Sequence, residues 1–134
     1  MEVTTETLIE QAKAVREHAY IPYSKFAVGA ALLTSTGNVF VGCNIENAAY
    51  PVTCCAERVA LFSAIAAGEM SFKKIVVVAD TDRPVPPCGT CRQAMSEFFP
   101  PETEICLSNL QNNIEMWTMA SLLPSSFNSK DLKR

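Results

Sequence analysis

Two short cysteine runs constrain the fold of this chain more than anything else in it. One is Pro86-Pro87-Cys88-Gly89-Thr90-Cys91-Arg92-Gln93, and the other, upstream, is Thr53-Cys54-Cys55-Ala56-Glu57-Arg58. Two thiols three apart, plus a third two residues before a carboxylate, can grip one zinc ion on three sides with an acid/base group beside its open face. The fold must therefore bring both runs to one point. Pro86 and Pro87 predict a helix start near Cys88, which places Cys88 and Cys91 at i and i+3 on one face, where both sulfurs reach one ion at the ~2.3 Å zinc needs. The run Ala56-Glu57-Arg58-Val59-Ala60-Leu61-Phe62 is rich in helix formers, with Val59, Phe62 and Ala66 at helical spacing, so Cys55 opens a second helix. Both ligand groups then lie at positive helix ends, which favour thiolates. Glu57, in a first turn, can swing towards the metal as a proton shuttle rather than a fourth ligand.

The competing readings are weaker. Taken alone, Cys88-Gly89-Thr90-Cys91 reads equally well as a redox dithiol, but the third thiol and its carboxylate favour zinc. A closed structural site would need a fourth ligand from Cys43, Cys54 or Cys106. Cys43 and Cys106 sit in apolar strand-like runs, where free cysteine behaves as a small buried hydrophobe. His18, the one histidine, falls in the first helical pattern and reads as a surface or packing residue.

The remaining pattern alternates helices and strands. Leu8, Ala12, Val15 and Ala19 predict an amphipathic helix from Thr5 to Ala19, ended by Pro22. Ala27 to Leu33 and Val39 to Asn44 predict an antiparallel hairpin about Thr34-Ser35-Thr36-Gly37-Asn38. The Cys55 helix stops near Gly68, and Ile75 to Ala79 is an apolar run of the buried-strand kind. The Cys88 helix ends before Pro100-Pro101. Two more strands, Glu104 to Leu107 and Ile114 to Thr118, flank the polar turn Asn109-Leu110-Gln111-Asn112-Asn113, and a short helix follows from Ala120 to Leu123. This order implies an α/β fold of three layers, α/β/α, around a mixed five-stranded sheet, in one domain over residues 1–134. Phe26 opens the first strand and Asn44-Ile45-Glu46 closes the second, so both lie at one end of the hairpin.

These motifs resemble the zinc-dependent cytidine deaminases of the small homotetrameric type, whose first motif reads Cys-Ala-Glu where the wider deaminase family has His-Ala-Glu. Tyr20-Ile21-Pro22-Tyr23-Ser24-Lys25-Phe26-Ala27-Val28-Gly29-Ala30-Ala31-Leu32-Leu33 and Gly42-Cys43-Asn44-Ile45-Glu46-Asn47-Ala48-Ala49-Tyr50 also resemble that family, from about Leu8 to Leu132. The family spacing selects Cys55, Cys88 and Cys91 as ligands of one zinc and gives Cys54 no role. The resemblance implies hydrolytic deamination of cytidine and 2′-deoxycytidine to uridine and 2′-deoxyuridine, with release of ammonia and Glu57 as the catalytic acid/base. It further implies that Phe26 packs on the pyrimidine, Asn44 and Glu46 bind the sugar hydroxyls, and the backbone at Ala56 and around Pro87 orients the base. Phe127, in Leu122-Leu123-Pro124-Ser125-Ser126-Phe127, lies where tetrameric relatives send an aromatic into a neighbouring subunit's site. Three thiolates also give zinc a net charge of about −1, which opposes activation of water. Arg58, i+3 from Cys55, is placed to withdraw that charge from the sulfurs, with Arg92 in reserve.

Charge separates the remaining function classes. A net charge of −3 and a pI near 5.1 give no electrostatic reason to bind a phosphate backbone, and the Lys130 to Arg134 tail reads as a solvated terminus. The chain carries no signal peptide pattern and no apolar span long enough for a membrane, so the six cysteines point to a reducing cytoplasm. With 49% hydrophobic residues there is apolar material for one core and for subunit contacts. A zinc deaminase for an aminonucleoside antibiotic, a nucleotide or a tRNA base would keep the metal motifs but change Phe26, Asn44 and Glu46. Those three residues favour a free nucleoside.

Overall fold

Ile75 to Ala79 has no polar alternation because it is buried on both faces, at the middle of the sheet. The computed structural model describes residues 2–132. Its elements are α1 (Thr5–Arg16), β1 (Val28–Thr34), β2 (Val39–Cys43), α2 (Ala56–Ala66), β3 (Phe72–Ala79), α3 (Gly89–Phe98), β4 (Glu104–Asn109), β5 (Ile114–Thr118) and α4 (Met119–Leu122). Short 3-10 turns cover Tyr50–Val52 and Ser129–Leu132. The strands are ordered β2-β1-β3-β4-β5, with β3 and β4 parallel and the other pairs antiparallel. One core cluster packs α1 residues Leu8, Ile9 and Ala12 on one sheet face, and the other packs α2, α3 and α4 on the opposite face. The three-layer α/β/α expectation with a mixed five-stranded sheet therefore holds.

Two glycines set how closely the layers approach. A Cβ on Gly42 would lie 2.4 Å from the Ala60 nitrogen and 2.5 Å from the Ala56 oxygen, so α2 rests directly on β2 main chain. A Cβ on Gly29 would lie 2.0 Å from the Ala12 oxygen, which seats α1 equally close on the other side.

The structure corrects two local expectations and shows which face of α2 is buried. Helix α1 ends at Arg16 rather than Ala19, because the N–H groups of Glu17, His18 and Ala19 turn back to Ala14, Val15 and Arg16 in a tighter i to i−3 pattern. That turn lets Tyr20 bridge to the end of the hairpin, its N–H donating to the Asn44 carbonyl at 3.0 Å while its carbonyl accepts from Glu46 at 2.8 Å. Helix α2 forms as expected and buries Ala56, Glu57, Ala60, Leu61 and Ala64, a different face from the evenly spaced Val59, Phe62 and Ala66. Phe62 is left 46% exposed, because the close seat on Gly42 demands the alanine face. Asn109 is not a turn residue but the fully buried end of β4. Of the basic tail, Lys133 and Arg134 lie outside the described residues.

Candidate active site

The cysteine runs meet because both become helix N-termini on the same sheet face. Cys55 is the N-cap of α2 and Cys88 the N-cap of α3, each in extended backbone and neither making a side-chain capping hydrogen bond. Their sulfurs are thus free to face one another, 3.9 Å apart. An N-cap side chain and the N3 side chain of the same helix meet at the first turn. In α3 that geometry joins Cys88 to Cys91, and in α2 it joins Cys55 to Arg58. The three sulfurs of Cys55, Cys88 and Cys91 lie within 4.8 Å of one another, the cluster of metal-ligating side chains among the described residues.

Cys54 takes no part in it. Its backbone N–H and carbonyl pair with Ile45 at 2.9 Å in a short antiparallel bridge, and the alternation of an extended chain sends its side chain away from Thr53 and Cys55. Burial pushes its thiol pKa up, so it stays protonated.

A cavity of about 320 Å³ opens in front of the sulfurs, at the carboxyl end of β3, within the range typical of small-molecule sites. Phe26, Asn44 and Glu46 line it on the hairpin side, Cys55 and Glu57 on the α2 side, and Pro86, Pro87 and Cys88 close it opposite. Asn44 clips the chain end of β1, its Nδ2 donating to the Phe26 carbonyl at 2.7 Å and its Oδ1 accepting from the Val28 N–H at 2.9 Å. Each end of the amide keeps one further hydrogen-bonding position for a ligand. Glu46 Oε1 accepts the N–H groups of Tyr23 and Ser24 at 3.0 and 3.1 Å, and Oε2 accepts the Ser24 hydroxyl. The Ser24 hydroxyl, foremost, holds the Glu46 carboxyl below its ordinary pKa. Sequence reading missed Ser24. Its signal was weak, because the turn that presents it depends on Lys25 at φ 59°, a left-handed conformation that lysine does not advertise. Ala56 is fully buried behind the cavity wall, and Phe127 lies outside the cavity, 57% exposed, its carbonyl accepting from Gln93 Nε2 at 2.9 Å.

Glu57 is only 4% exposed, and burial pushes its carboxyl up to about 7, helped by the neighbouring Cys55 sulfur and opposed by Arg58. A carboxyl poised there exchanges protons readily near neutral pH. Arg58 Nη2 donates to Cys55 Sγ at 3.5 Å and to the Thr53 carbonyl at 3.4 Å, while its Nε is buried without a partner. An under-bonded cation there demands negative charge on the sulfurs. Arg92, by contrast, sends Nε to the Pro87 carbonyl and Nη1 to the Leu122 carbonyl, both at 2.8 Å.

Residues 2–106 match the cytidine and deoxycytidylate deaminase zinc-binding region. The chain belongs to that family. It is 54% identical to the cytidine deaminase of Sporosarcina psychrophila over 127 residues, 95% of this chain and 93% of the relative, and 53% identical to that of Halalkalibacterium halodurans over 95% and 96%. The crystal structure of cytidine deaminase from Burkholderia pseudomallei superposes with a TM-score of 0.91 at 52% identity, covering 93% of this chain and all of that one.

The family's zinc fits the sulfurs found here. Two ligands ~2.3 Å from a tetrahedral zinc stand roughly 3.8 Å apart, close to the 3.9 Å between Cys55 and Cys88. Sulfurs this close also constrain one another's protonation. A hydrogen bond from Cys91 foremost, with Arg58 assisting against the cost of burial, lowers Cys55 to about 5, whereas the same contact with Cys55 pushes Cys91 up. Sulfurs this close cannot all ionise together unless a cation lies among them.

Proposed function

We propose that this chain hydrolyses cytidine and 2′-deoxycytidine to uridine and 2′-deoxyuridine, releasing ammonia. The observation that carries the reading is a buried carboxyl, Glu57, beside three sulfurs of zinc-holding geometry in a cavity whose other wall bears Phe26, Asn44 and Glu46. Cys55, Cys88 and Cys91 would hold the zinc, which when bound supplies Lewis acidity that lets water act as a nucleophile near neutral pH. Glu57 takes one proton from the attacking water and gives it to N3 of the base; it then takes the second proton from the hydroxyl now on C4 and gives it to the amino group, which leaves as ammonia while C4 becomes a carbonyl. Phe26 packs against the pyrimidine, the main chain at Ala56 and Pro87 orients it, and the sugar hydroxyls meet the free donor and acceptor positions of Asn44 and donate to Glu46, which only accepts.

A homotetramer in a reducing cytoplasm completes the reading. Phe127, Tyr50, Val52 and Phe62 are all exposed in the single chain, which suits subunit contacts and a Phe127 that serves a neighbouring site. All six cysteines are free, and among the described residues no helix is long and apolar enough to cross a membrane. In the direct test, zinc-loaded protein is mixed with cytidine while ultraviolet absorbance and ammonia are followed, and its mass in solution is taken by sedimentation. Conversion with one ammonia per cytidine and a four-chain mass is expected. A loaded protein inert to both nucleosides would overturn the activity, and a monomeric mass the assembly.

Arg58 is proposed to withdraw charge from the zinc-bound sulfurs. Without its cation the centre is more negative and water near it a weaker acid, so Arg58→Ala should move the activity profile to higher pH by about one unit and lower turnover at neutral pH. Combining Arg58→Ala with Cys55→His should recover part of the loss, since a neutral ligand removes the need. An unchanged pH profile with zinc retained would leave charge compensation to the two helix N-termini.

A further inference from the structure

The wall that carries Cys88 has an unusual hydrogen-bond ledger. Between β3 and α3, residues 80–87 make no main-chain to main-chain hydrogen bond among the described residues. Pro84, Pro86 and Pro87 lack N–H groups and so cannot donate to a neighbouring strand or turn. Val85, Pro86, Pro87 and Cys88 nonetheless line the cavity, and Cys88 brings a metal ligand. Something other than backbone pairing must fix this segment to within a fraction of an ångström.

Two side chains that do not line the cavity do so. At the start of the segment, buried Asn109 donates from Nδ2 to the carbonyls of Thr81 at 2.9 Å and Asp82 at 3.2 Å, while its Oδ1 accepts from Gln111 and Asn113. At its end, the half-buried guanidinium of Arg92 donates from Nε to the Pro87 carbonyl and from Nη1 to the Leu122 carbonyl. Leu122 ends α4, so its carbonyl has no partner within that helix. The planar fork of arginine spans the two acceptors in a way that the single ammonium of lysine does not.

We infer that Arg92 is a positioning residue for the metal site: it fixes the Pro87 carbonyl, and through it the cavity wall and the Cys88 sulfur, against the end of α4. Arg92 is not among the residues that line the cavity. The proposal rests on the zinc deaminase reading, and the parent protein's turnover of cytidine checks that reading separately.

The test compares the full-length parent with Arg92→Ala, Arg92→Lys and Arg92→Gln. Zinc affinity is read by competition with a chelator, kcat and KM for cytidine are read at saturating zinc, and thermal stability is read alongside. Groups that orient metal ligands commonly change affinity or activity about 10–100-fold. Arg92→Ala should therefore weaken zinc about tenfold or more and lower kcat of the loaded protein more than it raises KM, with Arg92→Lys recovering less than half of either loss. If Arg92→Ala folds poorly, Arg92→Gln, which keeps one donor nitrogen, should show the same signature at smaller size. Zinc affinity and kcat within about twofold of the parent, with only melting temperature lowered, would reduce Arg92 to a structural tie and overturn the proposal.

Discussion

Glu57→Gln should yield a protein that still binds zinc and cytidine yet turns over at least ~100-fold more slowly, because positioned proton transfer contributes about 10²–10⁴ in rate. The side chain is almost entirely enclosed, so an amide of the same shape keeps the packing of α2 on the sheet. It also removes a buried acid whose pKa is pushed up to about 7, so folding stability should hold or rise near neutral pH. What the amide cannot do is accept a proton from water and return it to the base. The loss should therefore fall on kcat, with KM little changed, because binding is assigned to Phe26, Asn44 and Glu46. Steady-state kinetics on protein with verified zinc content decides it. Turnover within about fivefold of the parent would remove Glu57 from the proton path.

The parts of the fold set by local chemistry were legible in the sequence. Gly68 ends α2 at φ 96°, and the Gly37 turn joins β1 to β2 at φ 92°, as single residues in left-handed backbone announce. The cysteine spacing conveyed the i and i+3 chelate because it depends only on one helical turn. The α2 face was not legible. Val59, Phe62 and Ala66 form an apolar stripe as regular as the buried one, and the choice between them is made by contact with Gly42, a residue in another element. Arg92 illustrates the same limit. Its i+4 position relative to Cys88 allowed a sulfur contact, but two carbonyls, one of them thirty residues away at Leu122, took its donors. Likewise Asn109 reads locally as a turn asparagine, and only the bare carbonyls of residues 81 and 82 explain its burial.

Adjacent cysteines give the sharpest test of the metal assignment. Cys55→Ala should strip zinc from the protein, whereas Cys54→Ala should leave zinc content and affinity within about twofold of the parent. A four-ligand structural zinc site is worth ~10–16 kcal/mol, so one ligand carries roughly 3 kcal/mol, about a hundredfold in affinity. Cys55 has a second dependent. Its sulfur accepts from Arg58, whose buried Nε already lacks a partner, so removing that sulfur leaves a half-buried cation still less satisfied and should cost about 1 kcal/mol of stability besides. Cys54 has no such partner: its thiol is neutral, its main chain pairs with Ile45 whatever the side chain, and its loss should cost only about 1 kcal/mol of packing. Cys55→His separates the two effects, since imidazole can replace the ligand but not the acceptor of Arg58, and it should restore much of the zinc but less of the stability. Zinc measured by plasma emission on dialysed protein, beside thermal melts of all three variants, distinguishes the outcomes. If Cys54→Ala loses zinc and Cys55→Ala keeps it, the first turn of α2 does not face the metal, and the roles given to Glu57 and Arg58, two and three residues after Cys55, fall with the assignment.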